Sequence, residues 1–397
     1  MINSWHLARG FQFAGVHAGL RPDPERLDLA LVVSDTPASA AGVFTQNRVC
    51  AAPVQVCRER LPRPDARGVV ICSGNANACT GQQGLADARR MTEIAAAGVG
   101  CRPEQMLVCS TGVIGRHLPM PAVEEGIRQA AGALEPSVQA LDRVAHAIWT
   151  TDTRIKVSTR AVTVDGQEVR LTGFAKGAAM IGPDLATMLA FVLTDAAIAP
   201  EDLHALTRRA ANASFNCVSV EGHTSTNDTL LFFANGPGSR LDENGLARVE
   251  SAATSICVDL AQAIANDAEG ATHFVSIVVE GLRNDDEARK VAKAVAESAL
   301  VKTAIFGADP NWGRFVSAAG YAGVPFAESD LSLWLGDILL YHAGTPQPFD
   351  AATASAYLKA NRNIDMRLRF TLGSGCCTFW TCDLGYEYVR LNAEYTT

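Results

Sequence analysis

Thr187 stands at the mouth of the apolar run Thr-Met-Leu-Ala-Phe-Val-Leu, directly after Ala186, with Gly182-Pro183 upstream and Thr194-Asp195 downstream. A threonine hydroxyl is a poor nucleophile at neutral pH unless a neighbouring group takes its proton. If the threonine were a chain terminus, its own α-amino group, with a reference pKa of about 7.7–8.0, would serve as that base. Scission of the Ala186–Thr187 bond would deliver this arrangement. Thr187 Oγ attacks the Ala186 carbonyl, the chain passes through an ester, and water releases the new amine. The small side chain of Ala186 leaves the scissile carbonyl accessible. The alternative reading of the same residues is a buried threonine without chemistry. A short apolar run between turn signals fits a buried strand or a buried helix segment; its shortness and turn-like flanks favour the strand.

A second candidate is Ser110-Thr-Gly-Val-Ile-Gly115, which ends the predicted strand 106–110. A glycine there exposes backbone N–H groups and the adjacent hydroxyl adds a donor. Such a pair can hold an oxyanion, where losing one donor typically costs about 2.7–4 kcal/mol of barrier. The segment Ala145-His-Ala-Ile-Trp-Thr-Thr-Asp-Thr153 gathers threonines around one aspartate at a helix end, a cluster that helix capping also explains. Ser73-Gly-Asn-Ala-Asn-Ala-Cys-Thr-Gly81 and Glu221-Gly-His-Thr-Ser-Thr-Asn-Asp228 are polar loops at strand ends, where sites are often built. Glu269-Gly270 reads as a helix stop, glycine being the favoured terminator. His17, alone in a glycine-rich opening, reads as structural.

The elements that must position these residues follow from patterning. Strands are predicted at 27–34, 41–45, 53–57, 67–72, 106–110, 187–193, 215–220, 229–234 and 274–279. Helices are predicted at 86–99, from Pro200 to about Ser214, and at 243–268 and 285–298. Residues 160–174 alternate as a hairpin around Asp165-Gly166, a favoured turn dipeptide. Strands and helices mix without strict βαβ alternation, which predicts an α/β fold with mixed sheets.

Composition narrows the function classes. A chain of 397 residues with 48% hydrophobic and 19% charged residues is globular, not disordered. A net charge of −8 disfavours a general nucleic-acid binder, which needs a basic footprint. No apolar run reaches the length of a membrane span, and the first residues carry no secretory pattern. The 11 cysteines include no C-x-x-C pair, which points to reduced thiols, a cytoplasmic location and no metal site.

The stretch Lys176-Gly-Ala-Ala-Met-Ile-Gly-Pro-Asp-Leu-Ala-Thr-Met-Leu189 resembles the signature of the ornithine acetyltransferase (glutamate N-acetyltransferase) family. Further matches run in the family's order from Gly10 to Thr397, the longest being Lys302-Thr-Ala-Ile-Phe-Gly-Ala-Asp-Pro-Asn-Trp-Gly-Arg314. That segment lacks the Gly-Lys-Ser/Thr ending of a phosphate loop. The resemblance implies self-cleavage into an α chain, 1–186, and a β chain, 187–397, with Thr187 as nucleophile and Thr111 and Gly112 as the oxyanion hole. It also implies that Thr150, Lys176, Glu269, Asn392 and Thr397 contact substrate.

The implied reaction is ping-pong transfer of acetyl from N2-acetyl-L-ornithine to L-glutamate, in arginine biosynthesis. It uses no metal or bound cofactor, although acetyl-CoA is a conceivable acetyl donor. The implied fold is layered, of the kind shared with β-aminopeptidases, and the implied assembly is α2β2. Some positions depart from the family pattern. Ala178-Ala179 replace the usual Ser-Gly, Ala268 replaces a glycine, Glu221 and His223 stand where aspartates are common, and the tail reads Tyr-Thr-Thr. These departures leave two alternatives: a paralogue acting on another amine, or an N-terminal-nucleophile amidohydrolase or peptidase that passes the acyl group to water.

Overall fold

The computed structural model describes residues 5–182, 188–238 and 240–394. The first sheet contains β1 (Phe11–Val16), β2 (Leu29–Phe44), β3 (Arg63–Asn75), β4 (Met106–Val113), β5 (Lys156–Val164), β6 (Gln167–Lys176), β7 (Leu189–Thr194) and β8 (Thr229–Ala234). Its order is β4-β3-β2-β8-β7-β6-β5, with β1 also paired to β2. The second contains β9 (Phe274–Leu282), β10 (Ser332–Leu335), β11 (Ile338–His342), β12 (Thr345–Pro346), β13 (Asn363–Arg369) and β14 (Gly375–Cys382), in the order β12-β11-β10-β13-β9-β14. Both sheets mix parallel and antiparallel pairs, β7 running parallel to β8 and β9 parallel to β13. The architecture is α/β with mixed sheets in layers, as the patterning predicts.

The strand β7 lies deep in the first sheet, and every residue in it is buried. Leu189, Phe191 and Leu193 join a core closed by the helices Ala52–Arg60, Gly81–Val99, Met120–Gly132 and Val138–Ala147. Met188, Ala190 and Val192 join the opposite core, shared with the helices Pro200–Asn212 and Glu243–Asn266 and with the second sheet. Burying each large apolar side chain contributes roughly 1.5–3 kcal/mol, so packing on both faces fixes β7 in place. The helix Glu243–Asn266 lies close over β6 because Gly173 has no side chain. A Cβ there would stand 2.2 Å from Ile256 Cγ2.

The predicted hairpin is present as β5 and β6, joined by Asp165 (φ 50°) and Gly166 (φ 76°), both left-handed as a two-residue hairpin turn requires. Three expectations are corrected. Residues 53–57 form part of the helix Ala52–Arg60, with Pro53 in the first turn, where its missing N–H leaves no hydrogen bond unmade. Residues 215–220 form a 3₁₀ turn, Phe215–Cys217, and a single bridge from Val218 to Trp380; they are apolar because they are buried, not because they pair. The strands expected at 27–34 and 41–45 are one long strand, β2, whose pairing register breaks between Val33 and Ala38. It pairs with β3 from Leu29 to Val33 and again at Ala38 and Ala40, and with β8 from Ser39 to Phe44.

Candidate active site

At the edge of β7 three strands meet. Leu189 pairs with Lys176, the last residue of β6, and with Thr229, the first of β8. Lys176, where β6 ends, thus lies beside Leu189, where β7 begins. Ala186, Thr187 and the terminal Thr397 lie outside the described residues. The Lys176 side chain is buried, and its Nζ donates to Thr111 Oγ1 at 3.4 Å.

Thr111 and Gly112 come from β4. Gly112 has φ 130°, and a Cβ there would lie 2.3 Å from the Gly74 carbonyl carbon, so only glycine fits. The loop before β8 holds this corner in place: Asn227 Nδ2 donates to Ala76 O at 2.6 Å and to Ser110 O at 2.8 Å. On the other side, the Glu269 N–H donates to Ala178 O at 3.0 Å, and Asn392 Nδ2 donates to Glu269 Oε2 at 3.2 Å. Asn392 lies on the tail helix Tyr386–Glu394, which packs against Gly270, where a Cβ would stand 2.4 Å from Tyr388 N.

These segments enclose a chamber of about 90 Å³ lined by Thr111, Gly112, Thr150, Lys176, Glu269 and Asn392. Every described residue singled out for oxyanion or substrate binding thus reaches one cavity, although the residues span positions 111 to 392. Thr150, Thr151, Glu269 and Asn392 also line a cleft of about 600 Å³ beside it. The other wall residues, among them Ala76, Ile114, Thr151, Met180 and Asn227, lie in segments the sequence singles out but were given no role of their own. The signal was the polar loops at strand ends, 73–81 and 221–228, and the threonine cluster at 145–153.

Three carboxyls on the segments that carry the chamber residues are held in different states. Burial alone would raise Asp152, but Lys176, Lys156 and the Gly177 N–H outweigh it and bring the carboxyl down to about 2. Asp228 accepts the Met188 N–H through Oδ1 at 3.3 Å; burial holds it well above the usual carboxylate range, against the pull of that N–H and of Lys176. Burial pushes Glu221 up to about 8. Burial also lowers Lys176, opposed by Asp152 and reinforced by Lys156 and Arg21.

Hydroxyl and amide donors, one buried amine and one carboxylate converge on a chamber beside the strand that begins two residues after Thr187. This is the equipment of an acyl-transfer site for a small zwitterionic substrate. The ArgJ family matches residues 12–397. The chain belongs to that family, the ornithine acetyltransferases whose motifs its sequence carries, and it is an enzyme. It is 44% identical over 411 residues to the arginine biosynthesis bifunctional protein ArgJ of Thermosynechococcus vestitus, covering 98% of this chain and 97% of that one. The Geobacter sulfurreducens ArgJ is 43% identical over 393 residues, covering 98% and 99%. Among solved structures, ArgJ from Bacillus halodurans is 39% identical with a TM-score of 0.50, covering 52% of this chain and 98% of that one.

Proposed function

We propose that this enzyme transfers the acetyl group of N2-acetyl-L-ornithine to L-glutamate, in arginine biosynthesis, through an acetyl ester on Thr187. Cleavage comes first: Thr187 Oγ displaces the Ala186–Thr187 peptide nitrogen, and water hydrolyses the ester. This leaves an Ala186 carboxylate and a free Thr187 α-amine. The products are an α chain, 1–186, and a β chain, 187–397.

In turnover, Thr187 Oγ attacks the acetyl carbonyl while the α-amine takes the hydroxyl proton. Thr111 and Gly112 stabilise the oxyanion. The α-amine then returns the proton to the departing ornithine nitrogen, leaving the acetyl ester. Glutamate enters, its amine attacks the ester, and acetylglutamate leaves as Thr187 Oγ regains its proton. Lys176, Glu269, Thr150, Asn392 and Thr397 bind the charged ends of the amino acids. The α and β chains pair as α2β2 in the cytoplasm. The cycle consumes no bound cofactor or metal, and acetyl-CoA is a possible second donor.

The single observation that carries this reading is the meeting of Thr111, Gly112, Thr150, Lys176, Glu269 and Asn392 around one chamber at the head of β7. The test is to incubate purified enzyme with acetyl-labelled acetylornithine, with and without glutamate. Label in acetylglutamate supports transfer. Label in free acetate alone, whether or not glutamate is present, makes the protein a hydrolase instead.

A further inference from the structure

The buried charges behind the chamber do more than join segments. Asp152 Oδ1 accepts from Lys156 Nζ at 2.7 Å and from the Gly177 N–H at 2.7 Å, while Oδ2 accepts from the Thr150 N–H at 3.1 Å. One carboxylate thereby ties Thr150 to the residue that follows Lys176, and Thr150 and Lys176 both line the chamber. Lys156 Nζ also donates to Asp267 Oδ2 at 2.6 Å, at the end of the helix Glu243–Asn266 and two residues before Glu269. The Asp152, Lys156 and Asp267 side chains are 0%, 1% and 3% exposed, so water does little to screen this ring.

The exposed Arg154 also reaches this cluster, its Nε 4.0 Å from Asp267 Oδ1, while on the other side the Gly177 N–H bond holds Asp152 one residue along the chain from Lys176. Among the described residues no carboxylate lies within ion-pair distance of Lys176 Nζ. Its charge is instead supported at a distance by Asp152 and by Asp228 at the head of β8, against Lys156 on β5 and Arg21 in the loop before β2. The charge state of Lys176 fixes the direction of its hydrogen bond. An ammonium only donates, so Thr111 Oγ1 must accept from it, and the Thr111 hydroxyl hydrogen is left for the chamber. A neutral amine could accept from Thr111 and draw that hydrogen away from any oxyanion.

We infer that Asp152 is a positioning residue for acyl transfer: by holding Lys176 as an ammonium, it keeps the Thr111 hydroxyl a donor into the chamber. This rests on the acetyl-transfer reading above. It adds a residue that never touches substrate but acts through Lys176 and Thr111.

The test is the pH dependence of acetylornithine–glutamate exchange by the full mature enzyme, from pH 6 to 10, for wild type and Asp152→Asn. The expected result is that kcat of the variant turns down at an alkaline limb at least about one pH unit below that of wild type, about tenfold in rate above the limb, with KM within about twofold. Asp152→Glu should restore most of the limb. Lys156→Gln removes the competing cation and should move the limb upward. A structural role alone would lower the melting temperature of these variants without moving any limb. A folded Asp152→Asn variant whose profile superimposes on wild type after scaling overturns the inference. If that variant does not fold, an unmoved or lowered limb in Lys156→Gln overturns it. If wild type makes no acetylglutamate, the acetyl-transfer reading fails separately. The same limbs are then read from the acylation burst with p-nitrophenyl acetate, which needs only the nucleophile and the oxyanion donors.

Discussion

Replacing Glu221 by glutamine should make the protein more resistant to alkali. Glu221 Oε1 accepts the Ile181 N–H at 2.6 Å, and Ile181 O accepts the N–H groups of Val220, Glu221 and Gly222 at 2.7, 3.3 and 3.2 Å. This clamp holds the chain just before the segment that contains Ala186 and Thr187. Glu221 Oε2 is buried and has no partner among the described residues. Burial raises the carboxyl from the ordinary 4.5 to about 8; Glu269 pushes it further up, while Lys302 and the Ile181 N–H oppose the rise. A folded-state value above the unfolded one means a contribution that is complete below about 4.5 and lost as pH rises through about 8. The full span would cost about 5 kcal/mol at pH 9 for a wholly dehydrated group. Glu221 keeps some contact with water at its edge, which reduces the expected loss to roughly 2 kcal/mol. Glutamine keeps the acceptor for Ile181 and cannot ionise. With an unfolding entropy near 2.1 cal/mol/K per residue, 2 kcal/mol corresponds to a Tm difference of roughly 2–3 °C. Thermal melts at pH 5, 7 and 9 should therefore show the variant gaining on wild type by about that much across the range. Parallel melting curves at all three pH values would refute the assignment of a buried, neutral Glu221.

Other expectations follow from the same geometry. Thr111→Val keeps the shape but removes the hydroxyl donor, and steady-state exchange should show kcat lower by about 10²–10³; a loss under about threefold would remove Thr111 from the mechanism. Gly112→Ala forces a Cβ to 2.3 Å from the Gly74 backbone in a left-handed conformation, so burst acylation should be abolished even where circular dichroism shows a folded chain. Gly173→Ala brings a Cβ to 2.2 Å from Ile256 and should destabilise the protein by about 1–3 kcal/mol in denaturant titration, with per-molecule activity retained below the transition.

Much of the frame was legible because local chemistry and tertiary packing agree there. The β5–β6 turn requires two left-handed residues, and Asp165-Gly166 announces them. The strand β7 is apolar on both faces, and the molecule buries both. Where packing overrode local preference, the sequence misled. Val54 and Val56 alternate like strand residues, yet their helix docks on β4, with Cys57 Sγ donating to Val108 O at 3.1 Å. Phe215 and Val218 are buried without a ladder. The chamber was legible residue by residue through the family motifs. Its supporting charges were not: Asp152 stood in a cluster that helix capping also explains, and Lys156, just outside the hairpin read at 160–174, drew no reading. Nothing local marks a lysine whose partners, Asp152 and Asp267, lie 4 and 111 residues away.

The most direct measurement is the intact mass of the purified protein before and after exposure to acetylornithine without glutamate. Self-cleavage and acyl transfer at Thr187 should give two polypeptides corresponding to residues 1–186 and 187–397, the second gaining one acetyl group at Thr187 and losing it when glutamate is added. A fully active preparation consisting of one uncleaved chain, or an acetyl group mapped to any side chain other than Thr187, would contradict it.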